Sequence, residues 1–275
     1  MMDIRLIALD MDGTLLNDEK QLSAGNRAAL ERCIQKGIIV VPATGRPAAG
    51  LPEVIRELPG IRYGILTNGA RVEDLKTGKV IAEALIDWEM AGEILEFLSQ
   101  YPVAYDPYMG GRGKMEARFR DHLAEYGLPL PMQRLVLGTR DVVEDELALV
   151  RQMKQPVEKI NVFTADKELR LMLWEKLRQY KELIVTSSLE YNLEINAAAA
   201  TKGNALGQLA KYLGLAKEQT MAMGDGSNDL SMIQEAGIGV AMANGMDMVK
   251  QQADYITLSN EEDGVAAAIR HFLDC

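Results

Sequence analysis

The chain has 275 residues, room for two domains at about 150 residues each, and its 48% apolar and 25% charged residues are those of a globular protein with a core of its own. A formal net charge of -10 repels phosphate backbones and anionic lipid. It argues against nucleic acid and membrane as partners, and any phosphorylated ligand must be met by local cations.

Two cysteines, Cys33 and Cys275, make neither a disulfide framework nor a CxxC pair, so a reducing cytoplasm is the expected compartment. Apolar runs fall far short of the roughly 20 residues that span a bilayer, and Asp3 and Arg5 interrupt any apolar leader. The two histidines, His122 and His271, lie in segments that read as amphipathic helices, with no second ligand at metal spacing. A Ser-His-Asp engine or a histidine-rich zinc site therefore has no support.

In chain order, the apolar run Ile4 to Leu9 predicts a first strand that ends at Asp10 and Asp12. Ser23 is placed to cap a helix over Ala24 to Gln35, stopped by Gly37. "GIIVV" (37–41) predicts a buried strand leading to Thr44, Gly45 and Arg46, and "YGILTNGA" (63–70) repeats the theme, ending at Asn68. Residues 70–84 predict a hairpin turning at Thr77-Gly78. A helix over about 87–100, a Gly-rich basic loop (110–120), a helix through His122, strands at 158–164 and 183–188 and a helix through Leu171 and Trp174 follow. Strands return at "QTMAM" (219–223), "GIGVAM" (237–242) and "ADYIT" (253–257). Strands alternating with helices predict an α/β fold: a doubly wound, Rossmann-like parallel sheet from 1–82 and 191–275, with a second α/β module, 83–190, inserted as a cap.

Ligands of doubly wound sheets bind beyond the carboxyl ends of the strands. Four polar clusters are expected at such ends: Asp10/Asp12, Thr44/Arg46, Asn68/Gly69 and Asp225/Asn228/Asp229. If one sheet carries all four strands, the clusters converge. Asp10, Asp225 and Asp229 crowded together cannot all ionise without a cation, and hard oxygen donors suit Mg²⁺. One of the first two aspartates can then attack phosphorus as a carboxylate, while its neighbour, protonated part of the time, serves as acid and then base. Gly13 allows a tight turn, and the Thr14 hydroxyl with nearby amides can hold phosphate oxygens.

"DMDGT" (10–14), "TGR" (44–46), "TKG" (201–203) and "GDGSND" (224–229) resemble, in order and spacing, the four motifs of the haloacid dehalogenase superfamily. "NGA" (68–70), "VAMANG" and "NEEDGVA" are similar to its Cof-type phosphatases, which carry a large α/β cap between the second and third motifs. The resemblance implies that Asp10 is the nucleophile that becomes an aspartyl-phosphate. It implies that Asp12 is the acid/base and lends its main-chain carbonyl to Mg²⁺, that Thr44 and Gly45 bind phosphate, and that Lys202 screens nucleophile and phosphate. Asp225 becomes a direct metal ligand, with Asn228 and Asp229 behind it. The chain departs from the family pattern at "EINAAAATKG", where four alanines precede Lys202 in place of the usual proline or glycine and a valine-serine.

The expected activity is Mg²⁺-dependent hydrolysis of a small phosphomonoester, such as a sugar phosphate or phosphorylated vitamin. Arg46, Asn68 and Arg112, the last in the basic cap loop with Lys114 and Arg118, are further candidates for substrate contact. A phosphomutase would use the same residues and return the phosphoryl group to a sugar. A phospho-accepting signalling module shares the acidic cluster, Thr and Lys, but needs only about one compact domain and carries its accepting Asp on a middle strand. The loop at 108–115 fails the P-loop spacing, and no GxGxxG follows a strand.

Overall fold

The computed structural model describes residues 3–187 and 189–273; Cys275 lies outside them. The first strand, β1 (Leu6–Leu9), is buried on both faces: Leu6 and Ala8 enter one core, Ile7 and Leu9 another. Continuous apolar strands of this kind belong to parallel sheets with helices on each side. The helix Ala24–Gln35 begins as expected, with Ser23 Oγ accepting from the amide of Asn26 at 3.1 Å. β2 (Ile39–Pro42) then pairs parallel with β1, Leu6 opposite Ile39. β3 (Tyr63–Leu66), β4 (Arg71–Asp74) and β5 (Lys79–Glu83) form a three-stranded antiparallel sheet, the last two joined by the expected hairpin.

The chain then builds a second compact unit, Ala84–Ala200. Its strands are β6 (Ala104–Met109), β7 (Arg112–Glu116), β8 (Arg140–Val143), β9 (Lys159–Phe163), β10 (Leu183–Thr186) and β11 (Asn192–Ala197). They make one sheet in the order β10-β11-β9-β6-β7-β8. Helices Trp88–Leu98, Glu146–Met153 and Lys167–Leu177 share a core with it that includes Ile94, Val150, Leu173, Ile160 and Leu193.

Two expectations are corrected here. The unit ends at 200, not 190, because β11 pairs antiparallel with both β9 and β10 and so belongs to this sheet. The helix through His122 stops at Arg120: residues 121–127 form turns that bury Leu123, Gly127 has φ 88°, and a separate helix runs over Leu130–Thr139.

The first unit, Met1–Glu83 with Thr201–Cys275, resumes with the helix Lys202–Tyr212. β12 (Thr220–Gly224), β13 (Ile238–Ala241) and β14 (Tyr255–Ile256) complete a parallel sheet ordered β14-β13-β12-β1-β2. Helices Ala24–Gln35 and Gly264–Phe272 share the core of one face; Lys202–Tyr212 and Leu230–Glu235 share that of the other. The architecture is the doubly wound one expected, with one difference. β3 is not a strand of the parallel sheet. It meets the end of β2 through a single parallel bridge, Ala43 to Ile65, where the amide of Thr44 donates to the carbonyl of Ile65 at 2.8 Å. Among the described residues no helix is long and apolar enough to cross a membrane.

Candidate active site

β1 and β12 are adjacent and parallel, so the residues following them leave the sheet at one edge. The pairing continues one step, with the amide of Asp10 donating to the carbonyl of Met223 at 3.0 Å. Carboxylate oxygens of Asp10, Asp225 and Asp229 then lie within 4.8 Å of one another. Gly13 makes this approach feasible: its φ is 89°, and a β-carbon there would stand 2.5 Å from Asp225 Oδ2.

Lys202 is the cation of the cluster. It is the first residue of its helix, capped by Thr201, whose hydroxyl accepts from the amide of Asn204 at 3.1 Å. Completely buried, its Nζ donates to Asp10 Oδ1 and to Asp229 Oδ1, each at 2.6 Å. The alanine run does not displace it. Ala197 ends β11, Ala198–Ala200 form the turn, and the helix starts only at Lys202. Asp229 uses its other oxygen to accept from the amides of Asp225 at 3.0 Å and Gly226 at 2.9 Å. It is therefore the residue that holds the 225–229 loop closed.

Burial raises the Asp10 pKa well above the carboxylate range, reinforced by the charges of Asp229 and Asp225 and opposed by Lys202. Asp225 is pushed up to about 6 by burial and by Asp229. Burial disfavours the charged form of Lys202, but the charges of Asp10 and Asp229 outweigh it and hold its pKa above the ordinary value. One ammonium thus serves three crowded carboxylates. The donor set fits a hard divalent cation: oxygen ligands only, and a surplus of negative charge that such an ion would neutralise.

Asp12 has a different environment. Arg46 Nη2 and Nε donate to its Oδ1 and Oδ2 at 2.8 and 3.1 Å, and Lys20 Nζ lies 3.1 Å from Oδ1. Burial raises its pKa, yet these cations prevail and hold it below the usual value. The expectation of a partly protonated Asp12 is thus not met in this arrangement, because Arg46 and Lys20 favour the carboxylate.

Thr44 is buried, and its hydroxyl accepts from the amide of Arg46 at 3.2 Å, with Gly45 between them. Asn68 is buried after β3, and its Oδ1 accepts from Asn228 Nδ2 at 3.4 Å. Thr14 departs from expectation: its hydroxyl donates to Asp225 Oδ1 at 2.8 Å, so it orients a carboxylate. Arg112 belongs to the second unit, where its Nε donates to Asp141 Oδ1 at 2.7 Å. Lys114 donates to the other oxygen of Asp141 at 2.7 Å, and Arg118 pairs with Glu116. Sequence reasoning missed Lys20, whose only signal is its place in a polar turn; it has φ 63°. It also missed Asn244, whose Nδ2 donates to the carbonyl of Gly13 at 2.8 Å.

A sequence profile of the haloacid dehalogenase-like hydrolases matches residues 7–269. The chain belongs to this family. The hydrolase is 35% identical over 274 residues to the 5-amino-6-(5-phospho-D-ribitylamino)uracil phosphatase YcsE of Bacillus subtilis, covering 98% of this chain and 96% of that protein. A solved haloacid dehalogenase-like hydrolase from B. subtilis matches it with a TM-score of 0.85 at 31% identity, over 98% of this chain and 100% of the other. The subclass IIB sugar phosphatase BT4131 matches with a TM-score of 0.81 at 25% identity, over 98% of both chains. This haloacid dehalogenase-like protein is accordingly a phosphoric monoester hydrolase with an inserted α/β unit.

Proposed function

We propose that the enzyme is a Mg²⁺-dependent phosphatase that hydrolyses small phosphomonoesters through an aspartyl-phosphate on Asp10. The observation that carries this reading is the bridge from Lys202 Nζ to Asp10 and Asp229, 2.6 Å to each, beside Asp225. Lys202 engages Asp10 Oδ1 and so orients Oδ2 as the attacking oxygen. The Asp10 Oδ2–P bond forms as the bond from phosphorus to the ester oxygen breaks, and the departing oxygen takes a proton from Asp12. Asp12, a carboxylate once more, removes a proton from the water that attacks the phosphoenzyme and releases inorganic phosphate. Since Arg46 and Lys20 favour its ionised form, Asp12 rests as a carboxylate. It takes up a proton from the entering phosphomonoester monoanion or from solvent as the Arg46 contact loosens, gives that proton to the departing oxygen, and surrenders to solvent the one it later removes from water.

Thr44 accepts the Arg46 amide, so its own O–H is directed to a phosphoryl oxygen, with the Gly45 amide beside it. Asp10, Asp225 and the Asp12 main-chain carbonyl would hold Mg²⁺, with Asn228 and Asp229 supporting the loop behind. Bound there, the ion supplies charge neutralisation and Lewis-acid polarisation of the phosphoryl oxygens.

The names of the relatives, a ribitylaminouracil phosphatase and a sugar phosphatase, support a phosphorylated sugar or polyol derivative as substrate. The unit 84–200 is the part of the chain we assign to choosing the leaving group, and a cytoplasmic setting goes with such a substrate. The test is phosphate release from a panel of phosphorylated metabolites and a generic aryl phosphate, with Mg²⁺ and with a chelator. Asp10→Asn and Asp12→Asn should each lose about 10²–10⁴ in rate. Release that survives Asp10→Asn overturns the mechanism; a stable phosphoryl label on Asp10 without release points to a mutase.

A further inference from the structure

Three consecutive residues after β3 adopt left-handed backbone: Thr67 at φ 53°, Asn68 at 60° and Gly69 at 95°. Gly and Asn tolerate that region; a β-branched threonine is a genuine outlier there. Strain of this kind persists only where surrounding contacts impose it. Here the contacts run to three different loops of the site. The amides of Thr67 and Asn68 donate to the carbonyls of Arg46 and Thr44 at 3.1 and 3.0 Å. Asn68 Oδ1 accepts from Asn228, one residue before Asp229. A β-carbon on Gly69 would lie 2.3 Å from the carbonyl oxygen of Thr201, so this backbone is pressed against the start of the Lys202 helix.

The ordinary reading of Asn68 is a turn residue chosen for its backbone, and that reading would leave its side chain without a task. Yet Asn68 is 4% exposed, and its amide oxygen is turned to the acidic loop while its main-chain N–H holds the Thr44 loop. The first bond ties Asn68 to the 225–229 loop, the second to the main chain of Thr44. We propose that Asn68 is a positioning residue that couples these two loops, fixing the spacing between the Thr44 hydroxyl and the carboxylates of Asp225 and Asp229 before substrate arrives. The role rests on the phosphatase reading above. It acts through Asn228 and requires no contact of Asn68 with phosphate.

The test is a cycle of Asn68→Gly, Asn228→Ala and the double variant. Glycine keeps the left-handed backbone and the N–H to Thr44 and deletes only the side-chain amide, so the fold should hold; thermal melting checks this. Turnover of a generic aryl phosphate and calorimetric affinity for inorganic phosphate, both with Mg²⁺, are read for each variant. Misplacement of reacting groups by about 1 Å costs on the order of 10²-fold, so Asn68→Gly should lose about 10- to 100-fold in kcat with a smaller change in KM. The double variant should lose no more than Asn228→Ala alone. Losses that multiply, or Asn68→Gly within about twofold of wild type, overturn the proposal. The phosphate affinities form the same cycle and decide the coupling even if wild type hydrolysed no ester, an outcome that would count against the phosphatase reading and not against Asn68.

Discussion

Arg46 grips Asp12 along one edge of its guanidinium, Nη2 on one carboxylate oxygen at 2.8 Å and Nε on the other at 3.1 Å. Such a fork fixes the plane of a carboxylate as well as its charge, which a lysine cannot do. Arg46→Lys should therefore preserve much of the charge effect but lose orientation, and Arg46→Met should lose both. We expect kcat on an aryl phosphate to fall by about 10-fold for Met and by less for Lys, with melting temperature nearly unchanged because the pair is partly exposed. Equal kcat in both variants and wild type would show that Asp12 is held by other means.

Lys202→Met leaves the carboxylates of Asp10 and Asp229 buried without their ammonium. Removing one partner of a buried pair costs about 3–5 kcal/mol, so urea unfolding should show a loss of that order at pH 8. The loss should shrink toward pH 5, where the stranded carboxylates accept protons. A stability equal to wild type at pH 8 would mean that the bridge seen between Asp10 and Asp229 is not populated.

Mg²⁺ should raise the melting temperature of the wild type, since binding at a hundredfold excess over Kd adds about 2.7 kcal/mol. Asp225→Asn removes one of the crowded charges, so without metal it should melt at or above wild type, yet gain little from Mg²⁺ and hydrolyse slowly. A variant that responds to Mg²⁺ like wild type would exclude Asp225 as a ligand. Chelation should abolish turnover, and added Mg²⁺ should restore it.

Glu146 is a separate test, remote in kind from catalysis. It is fully buried in the second unit; its Oε1 accepts from the amide of Glu116 at 2.7 Å, and its Oε2 has no partner among the described residues. Burial and the neighbouring Glu116 side chain push its pKa up to about 9 from an ordinary 4.5. The folded state thus keeps a proton that the unfolded chain releases, and stability must fall as pH rises from about 4.5 through about 9. Glu146→Gln cannot lose that proton. Its urea midpoint should match wild type near pH 4.5 and exceed it at pH 8.5; parallel curves across that window would refute the shift.

The sequence by itself determined the elements that local chemistry dictates. Apolar β1 had to be buried on both faces, Ser23 had to start a helix, and Asp10, Thr44 and Asp225 stood out at strand ends, whereas Lys202 drew notice only through the family resemblance of "TKG". Tertiary structure decided what depends on pairing between distant segments. Polar alternation in "NLEINA" could not say which sheet would take β11, and its pairing with β9 and β10 moved the boundary from 190 to 200. Spacing could not reveal that Thr14 would face Asp225, that Lys20 and Arg46 would share Asp12, or that β3 would leave the parallel sheet after one bridge. A residue type fixes which bonds a side chain can make, but its partner depends on which remote loop the fold sets within hydrogen-bond reach.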